Sequence, residues 1–174
     1  MTAIDNTPEN RNFLSPLNFK FSIKKSPNMN FFLQKVNLPS ITQDVIVIPT
    51  NFNPLYNSST TLQYGDLNVT FKVDEDLTNY FEIHNWMRFG SLVENFDEYS
   101  KLAKVPDYTG EGMTSELSLI VLNSAKKPNY EFTFQDGFPI YLSELDFDST
   151  MDDVEYMTAT ATFKYTLFEI NKIV

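Results

Sequence analysis

Apolar and polar residues alternate with a period of two along most of this chain, the pattern of strands with one covered face and one wet face. Leu17, Phe19, Phe21 and Ile23 alternate with Asn18, Lys20, Ser22 and Lys24. Ser26-Pro27-Asn28 reads as a turn. A second strand is expected from Asn30 to Leu38, with Phe31 and Leu33 on one face and Phe32, Val36 and Leu38 on the other. Apolar groups on both faces imply that both are covered, the second by another subunit. Clean alternation returns at Leu67, Val69, Phe71 and Val73. Four more strands are expected at Glu116–Leu122, Asn129–Phe134, Phe138–Phe147 and Thr158–Phe168. In the last, Ala159, Ala161, Phe163, Tyr165 and Leu167 share one face, and a ladder of threonines with Lys164 shares the other. The apolar phase of Phe138–Phe147 slips between Leu142 and Leu145, which predicts a bulge near Ser143-Glu144.

One segment has a helical period instead. Leu77, Tyr80, Phe81, His84, Met87 and Arg88 recur at spacings of three and four, and Ile83, Trp86 and Phe89 widen the stripe. Asp74-Glu75-Asp76 offers carboxylates to its first N–H groups, and Gly90 is placed to end it. About seven strands with one helix predict a mainly β fold, a two-sheet β-sandwich or small barrel flanked by an α-helix. Residues 1–16 hold Pro8 and Pro16 and show no period, so they read as a flexible N-terminal arm before a single β domain at 17–174. Residues 39–62 contain three prolines and one β-like run, Val45–Ile48. That is long for a plain connection, and four apolar β-formers in a loop need a partner surface.

Composition narrows the function. A domain of 174 residues can bury a full core without staples. The lack of cysteine excludes disulfides, thiolate zinc sites and thiol chemistry, and it is compatible with assembly in a reducing cytoplasm. The N-terminus has neither a basic nor an apolar leader region, and the longest apolar runs, Val45–Ile48 and Leu119–Leu122, are four residues long, so no membrane association is expected. The net charge of −10 is polarised: residues 1–64 carry 5 Lys and Arg against 3 Asp and Glu, or +2, and residues 65–174 carry 8 against 20, or −12. Such polarity suits head-to-tail self-association, and it equally suits a merely soluble surface. Gripping DNA would need basic residues among exposed aromatics, and the only arginines are Arg11 and Arg88. An acidic surface would let DNA pass without binding it.

Catalytic chemistry has few candidates. His84 is the single histidine and reads as a packed helix residue, because zinc or a triad would need further partners. Asp146, Asp148, Asp152, Asp153 and Glu155 could form a carboxylate pair or a calcium loop, but the glycine and the ligand spacing of such a loop are missing. Nucleophile-elbow, phosphate-binding and dinucleotide-binding motifs are missing as well. No catalytic, cofactor-binding or metal residues are assigned, and the chain is expected not to be an enzyme.

The order of segments resembles the tail-tube proteins of contractile-tailed, T4-like phages. The resemblance is carried by the N-terminal arm, a hairpin Phe19–Leu38 closing on Leu38-Pro39, and the run from Leu67 to Asp76 leading into a helix with Trp86. The end, Asp136-Gly137-Phe138-Pro139 with Thr162-Phe163-Lys164-Tyr165, completes it. It implies a fold shared with the type VI secretion tube protein, hexameric rings that stack into a channel inside a sheath, and DNA ejection through that channel. Implied partners are further copies, sheath, and baseplate or terminator proteins, in a virion tail. Residues 39–62 and 91–115 match loosely, so a tube-end, baseplate or tail-completion protein is the alternative within the same fold. A soluble carbohydrate-binding β-sandwich and an enzyme built on Asp146 and its neighbours are the rivals outside it.

Overall fold

The computed structural model describes residues 11–91, 112–150 and 156–173. They hold nine strands and two helices: β1 Phe19–Ile23, α1 Pro27–Phe31, β2 Leu33–Val36, β3 Ile41–Ile48, β4 Leu55–Tyr64, β5 Leu67–Lys72, α2 Thr78–Ser91, β6 Ser115–Leu122, β7 Pro128–Leu142, β8 Thr158–Lys164 and β9 Leu167–Lys172. Seven strands form one sheet in the order β1-β6-β7-β8-β5-β2, with β9 paired on β7, and β3 and β4 form a separate ribbon.

The long strand β7 makes two packed layers from one sheet. Its first half pairs with β6 and β9, and its second half, from Phe138, pairs with β8. The bend falls at Asp136-Gly137, where Asp136 has a positive φ of 55°. Gly137 packs so tightly that an added Cβ would lie 2.6 Å from Leu117 Cδ1. Only glycine permits that approach. One layer contributes Phe21, Ile23, Leu117, Leu119 and Phe134 to the core, the other contributes Leu67, Val69, Phe71, Ala159, Ala161 and Phe163, and α2 adds Ile83 and Trp86. The mainly β, two-layer architecture with a flanking helix is therefore as expected, and the strands β5, β6 and β8 lie where alternation puts them.

Several details differ, each for a local reason. The expected hairpin from Phe19 to Leu38 does not form, because β1 pairs with β6 and β2 with β5. Proline at the first turn starts α1, and the Asn30 side chain occupies the backbone of Ile23: Ile23 N–H donates to Asn30 Oδ1 at 2.9 Å, and Asn30 Nδ2 donates to Ile23 O at 3.0 Å. The chain thus leaves β1 with its polar groups satisfied and crosses to the other layer. The segments at Asn129–Phe134 and Phe138–Phe147 fuse into β7, and its irregularity lies between Pro139 and Tyr141 rather than at Ser143-Glu144. The Thr158–Phe168 segment breaks at Tyr165-Thr166 into β8 and β9. Leu17 lies outside β1 and is exposed.

At the start of α2, Asn79 N–H donates to Asp74 Oδ1 at 3.4 Å, the service expected of the acidic cluster, and buried Asn79 donates its own Nδ2 to Lys72 O at 2.8 Å. The helix runs on through Gly90 to Ser91, so this glycine does not end it. Residues 1–10 of the expected N-terminal arm, and most of the loosely matching residues 91–115, lie outside the described residues.

Candidate assembly interface

The β3–β4 ribbon is the feature that distinguishes this surface. Residues 39–62 were expected as a loop with one β-like run; they form most of an antiparallel hairpin in which Ile41 faces Tyr64, Val47 faces Tyr56 and Ile48 faces Leu55. Period-2 geometry then puts Ile41, Val45, Val47, Tyr56, Leu62 and Tyr64 on one face and Ile46, Ile48 and Leu55 on the other. Both faces are exposed: Val45 at 57%, Ile46 at 52% and Tyr56 at 67%. A lone two-stranded ribbon is marginal in water, and apolar residues on both of its faces need a surface to cover them.

The base of the ribbon is firmly held. Tyr64 packs on Phe168 at 5.4 Å between ring centroids and on Tyr165 at 6.1 Å. Gly65 N–H donates to Ser40 O at 2.9 Å, and the Tyr165 hydroxyl donates to Gly65 O at 3.0 Å. Partial burial, with Tyr64 and Asp66 close by, pushes the Tyr165 phenol up to about 12. The ribbon tip, residues 49–54, is framed by Pro49 and Pro54 and presents Phe52, which is 94% exposed.

A second apolar feature lies between α2 and β7. Trp86, Met87, Met113, Thr114, Phe138, Pro139 and Ile140 line a groove of about 570 Å³. Its floor is fixed by Trp86, whose Nε1 donates to Met113 O at 2.7 Å and whose ring packs on Phe163 at 5.9 Å. Lys25 lies over the same indole at 5.2 Å and donates to Gly112 O. Half-burial lowers the Lys25 pKa.

The residues weighed for catalysis do not converge. His84 is exposed on α2. Asp146 and Asp148 are exposed on the segment after β7, and Asp148 accepts hydrogen bonds from Thr150 Oγ1 at 2.6 Å and Thr150 N–H at 2.8 Å, which hold its carboxyl below the usual range. Asp152, Asp153 and Glu155 lie outside the described residues. Among the described residues no group of three histidine or carboxylate side chains could hold a metal, and no helix is long and apolar enough to cross a membrane. Sequence reasoning found the Val45–Ile48 run but missed Phe52 and the groove. The paired prolines around Thr50-Asn51-Phe52-Asn53 were the available signal for the tip; the groove is made by residues distant in the chain and had none.

This architecture is the tail-tube fold of contractile injection machines. The chain is homologous to the tail tube terminator protein of Enterobacteria phage T4, with 27% identity over 162 residues, covering 89% of this chain and 87% of that protein. Two solved structures of the extracellular contractile injection system PVC share the fold, each with a TM-score of 0.64. One is a chain of its extended sheath/tube terminator, 16% identical and covering 93% of this chain and 99% of the other. The other is from its extended sheath-tube complex, 15% identical with 94% coverage of both. No protein-family model matches the sequence. Together the comparisons support a structural role associated with the tail tube of a phage-like contractile system.

Proposed function

We propose that this chain is the terminator of a contractile phage tail tube: a ring of copies that seats on the end of the tube and halts its growth. The observation that carries this reading is the homology to the T4 tail tube terminator over 89% of the chain. The physical role is passive and needs no chemical step. The ribbon, exposed along both faces and clamped at its base, supplies the apolar surface that subunit association buries. The ring closes the end of a conduit through which DNA leaves the virion, and its outer side meets the sheath. The acidic majority of the chain leaves DNA unbound.

A stacking tube subunit is the second reading, favoured by the equal similarity to a chain of a sheath-tube complex. Copy number separates the two. Quantitative mass spectrometry of purified particles should give one ring's worth per tail, independent of tail length. A copy number that scales with tail length would reject the terminator and leave the tube subunit.

A further inference from the structure

We infer that the Phe52 tip of one copy's ribbon seats in the groove between α2 and β7 of a second copy. This rests on the ring reading above and names the surface that the subunit contact uses. The two surfaces match in chemistry, shape and reach.

On a chain of net charge −10, residues 41–64 carry a single charge, Asp44, and the groove lining carries none. Asp44 sits at the ribbon's register shift, where Gln63 Nε2 donates to it at 3.2 Å, well away from the tip. An uncharged knob can therefore enter an uncharged hole without stripping water from an ion, whereas two acidic surfaces would repel. Charge thus excludes much of the remaining surface as the receptor and leaves the groove as a match.

Shape agrees. Phe52 is the most exposed described aromatic of the ribbon, and a groove of about 570 Å³ is roomy enough for a phenyl ring with its neighbours. The tip is also preorganised: Pro49 and Pro54 fix their φ angles, and Thr50 Oγ1 accepts from Asn53 N–H at 3.3 Å while donating to Asn53 O. Less freedom is then lost on docking, and an aromatic anchor in an apolar pocket is the usual form of an interface hot spot.

Reach agrees as well. The eight residues of β3 extend about 27 Å, and a chain of this size has a radius of gyration of about 16 Å, so the tip can clear its own body. One ribbon face is roughly 27 by 10 Å. The tip anchors the contact, and the ribbon face that adjoins it adds about 270 Å² of footprint toward the about 800 Å² per partner that a stable interface requires. Tip and groove are different surfaces, so the contact is heterologous and propagates from copy to copy until a ring closes.

The absence of cysteine makes the contact directly testable. Asn51→Cys combined with Thr114→Cys places thiols beside the knob and on the groove wall while keeping Phe52. Mild oxidation should give a ladder of covalent oligomers ending at the ring, and either single variant should stop at dimers. In parallel, Phe52→Ala should keep the wild-type melting temperature and lose at least tenfold in ring population by native mass spectrometry. If wild-type rings form but the double variant gives no ladder, or only an intrachain disulfide, the groove is not the receptor and the ring reading stands. Phe52→Ala rings at wild-type levels would also overturn the contact. A wild-type protein that stays monomeric at all concentrations would overturn the ring reading itself.

Discussion

The β5–β8 pair and the β3–β4 ribbon are both antiparallel hydrogen-bonded pairs rich in β-branched residues, yet they meet opposite surroundings. Across β5 and β8, Val69 faces Ala161 and Phe71 faces Ala159, all at most 1% exposed, with α2 and the other layer over them. In the ribbon, Val45 faces Ser58 and Val47 faces Tyr56, and every residue of β3 is exposed. The first pair is stabilised within the chain. The second is paired only between its own two strands and exposed on both faces, so the cover for its apolar residues must come from outside. The first region carries the buried core, and the second leaves apolar surface open.

The largest effect should come from breaking the covered pair. Phe163 is fully buried and packs on Trp86; Phe163→Ala should cost about 3–5 kcal/mol in a urea titration, and Phe71→Ala about the same. Unchanged midpoints in both would mean that the layers are not the core described. Gly137→Ala should be next, at about 1–3 kcal/mol, since the added methyl meets Leu117 and, at 3.1 Å, Ser115 O. Wild-type stability in that variant would show that the β7 bend has slack. Replacing residues 43–59 by a short Gly/Ser linker should leave a cooperative unfolding transition and remove rings, because no strand of the seven-stranded sheet pairs with the ribbon. Loss of folding in this variant would erase the distinction between the two regions.

A smaller effect concerns the ribbon base. Tyr165 keeps its proton more tightly in the folded state, with its pKa pushed up to about 12 against an ordinary 10.0. Its contribution is therefore complete below about pH 10 and is lost as pH rises toward 12. Tyr165→Phe should flatten the fall in melting temperature over that window, at the loss of the hydrogen bond to Gly65 O. An equally steep fall in the variant would assign the alkaline loss to other groups. His84→Ala, on an exposed helix position, should change stability by no more than about 0.5 kcal/mol.

What alternation could reveal depended on whether a strand's partner and cover lie in regular register. β5, β6 and β8 were legible because one face of each is buried in step: Leu67, Val69 and Phe71, then Leu117 and Leu119, then Ala159, Ala161 and Phe163. The pattern of β7 reads as two strands because Asp136-Gly137 looks like a turn when it is a bend within one strand. The β1–β2 pairing was misjudged because Asn30 satisfies Ile23 through its side chain, a contact invisible to periodicity. At the interface, Val45–Ile48 signalled a need for cover, but the strand opposite it, Leu55–Tyr64, has Asn57 to Thr61 as a polar run that hides its strand character.

A chain that ends a tube and a chain that builds one differ in how they respond to concentration, which electron microscopy of the purified protein over a rising concentration series reads out. A terminator should give discrete rings whose thickness stays at one subunit layer as concentration increases. Tubes that lengthen with concentration, in the absence of any other protein, would contradict the terminator reading.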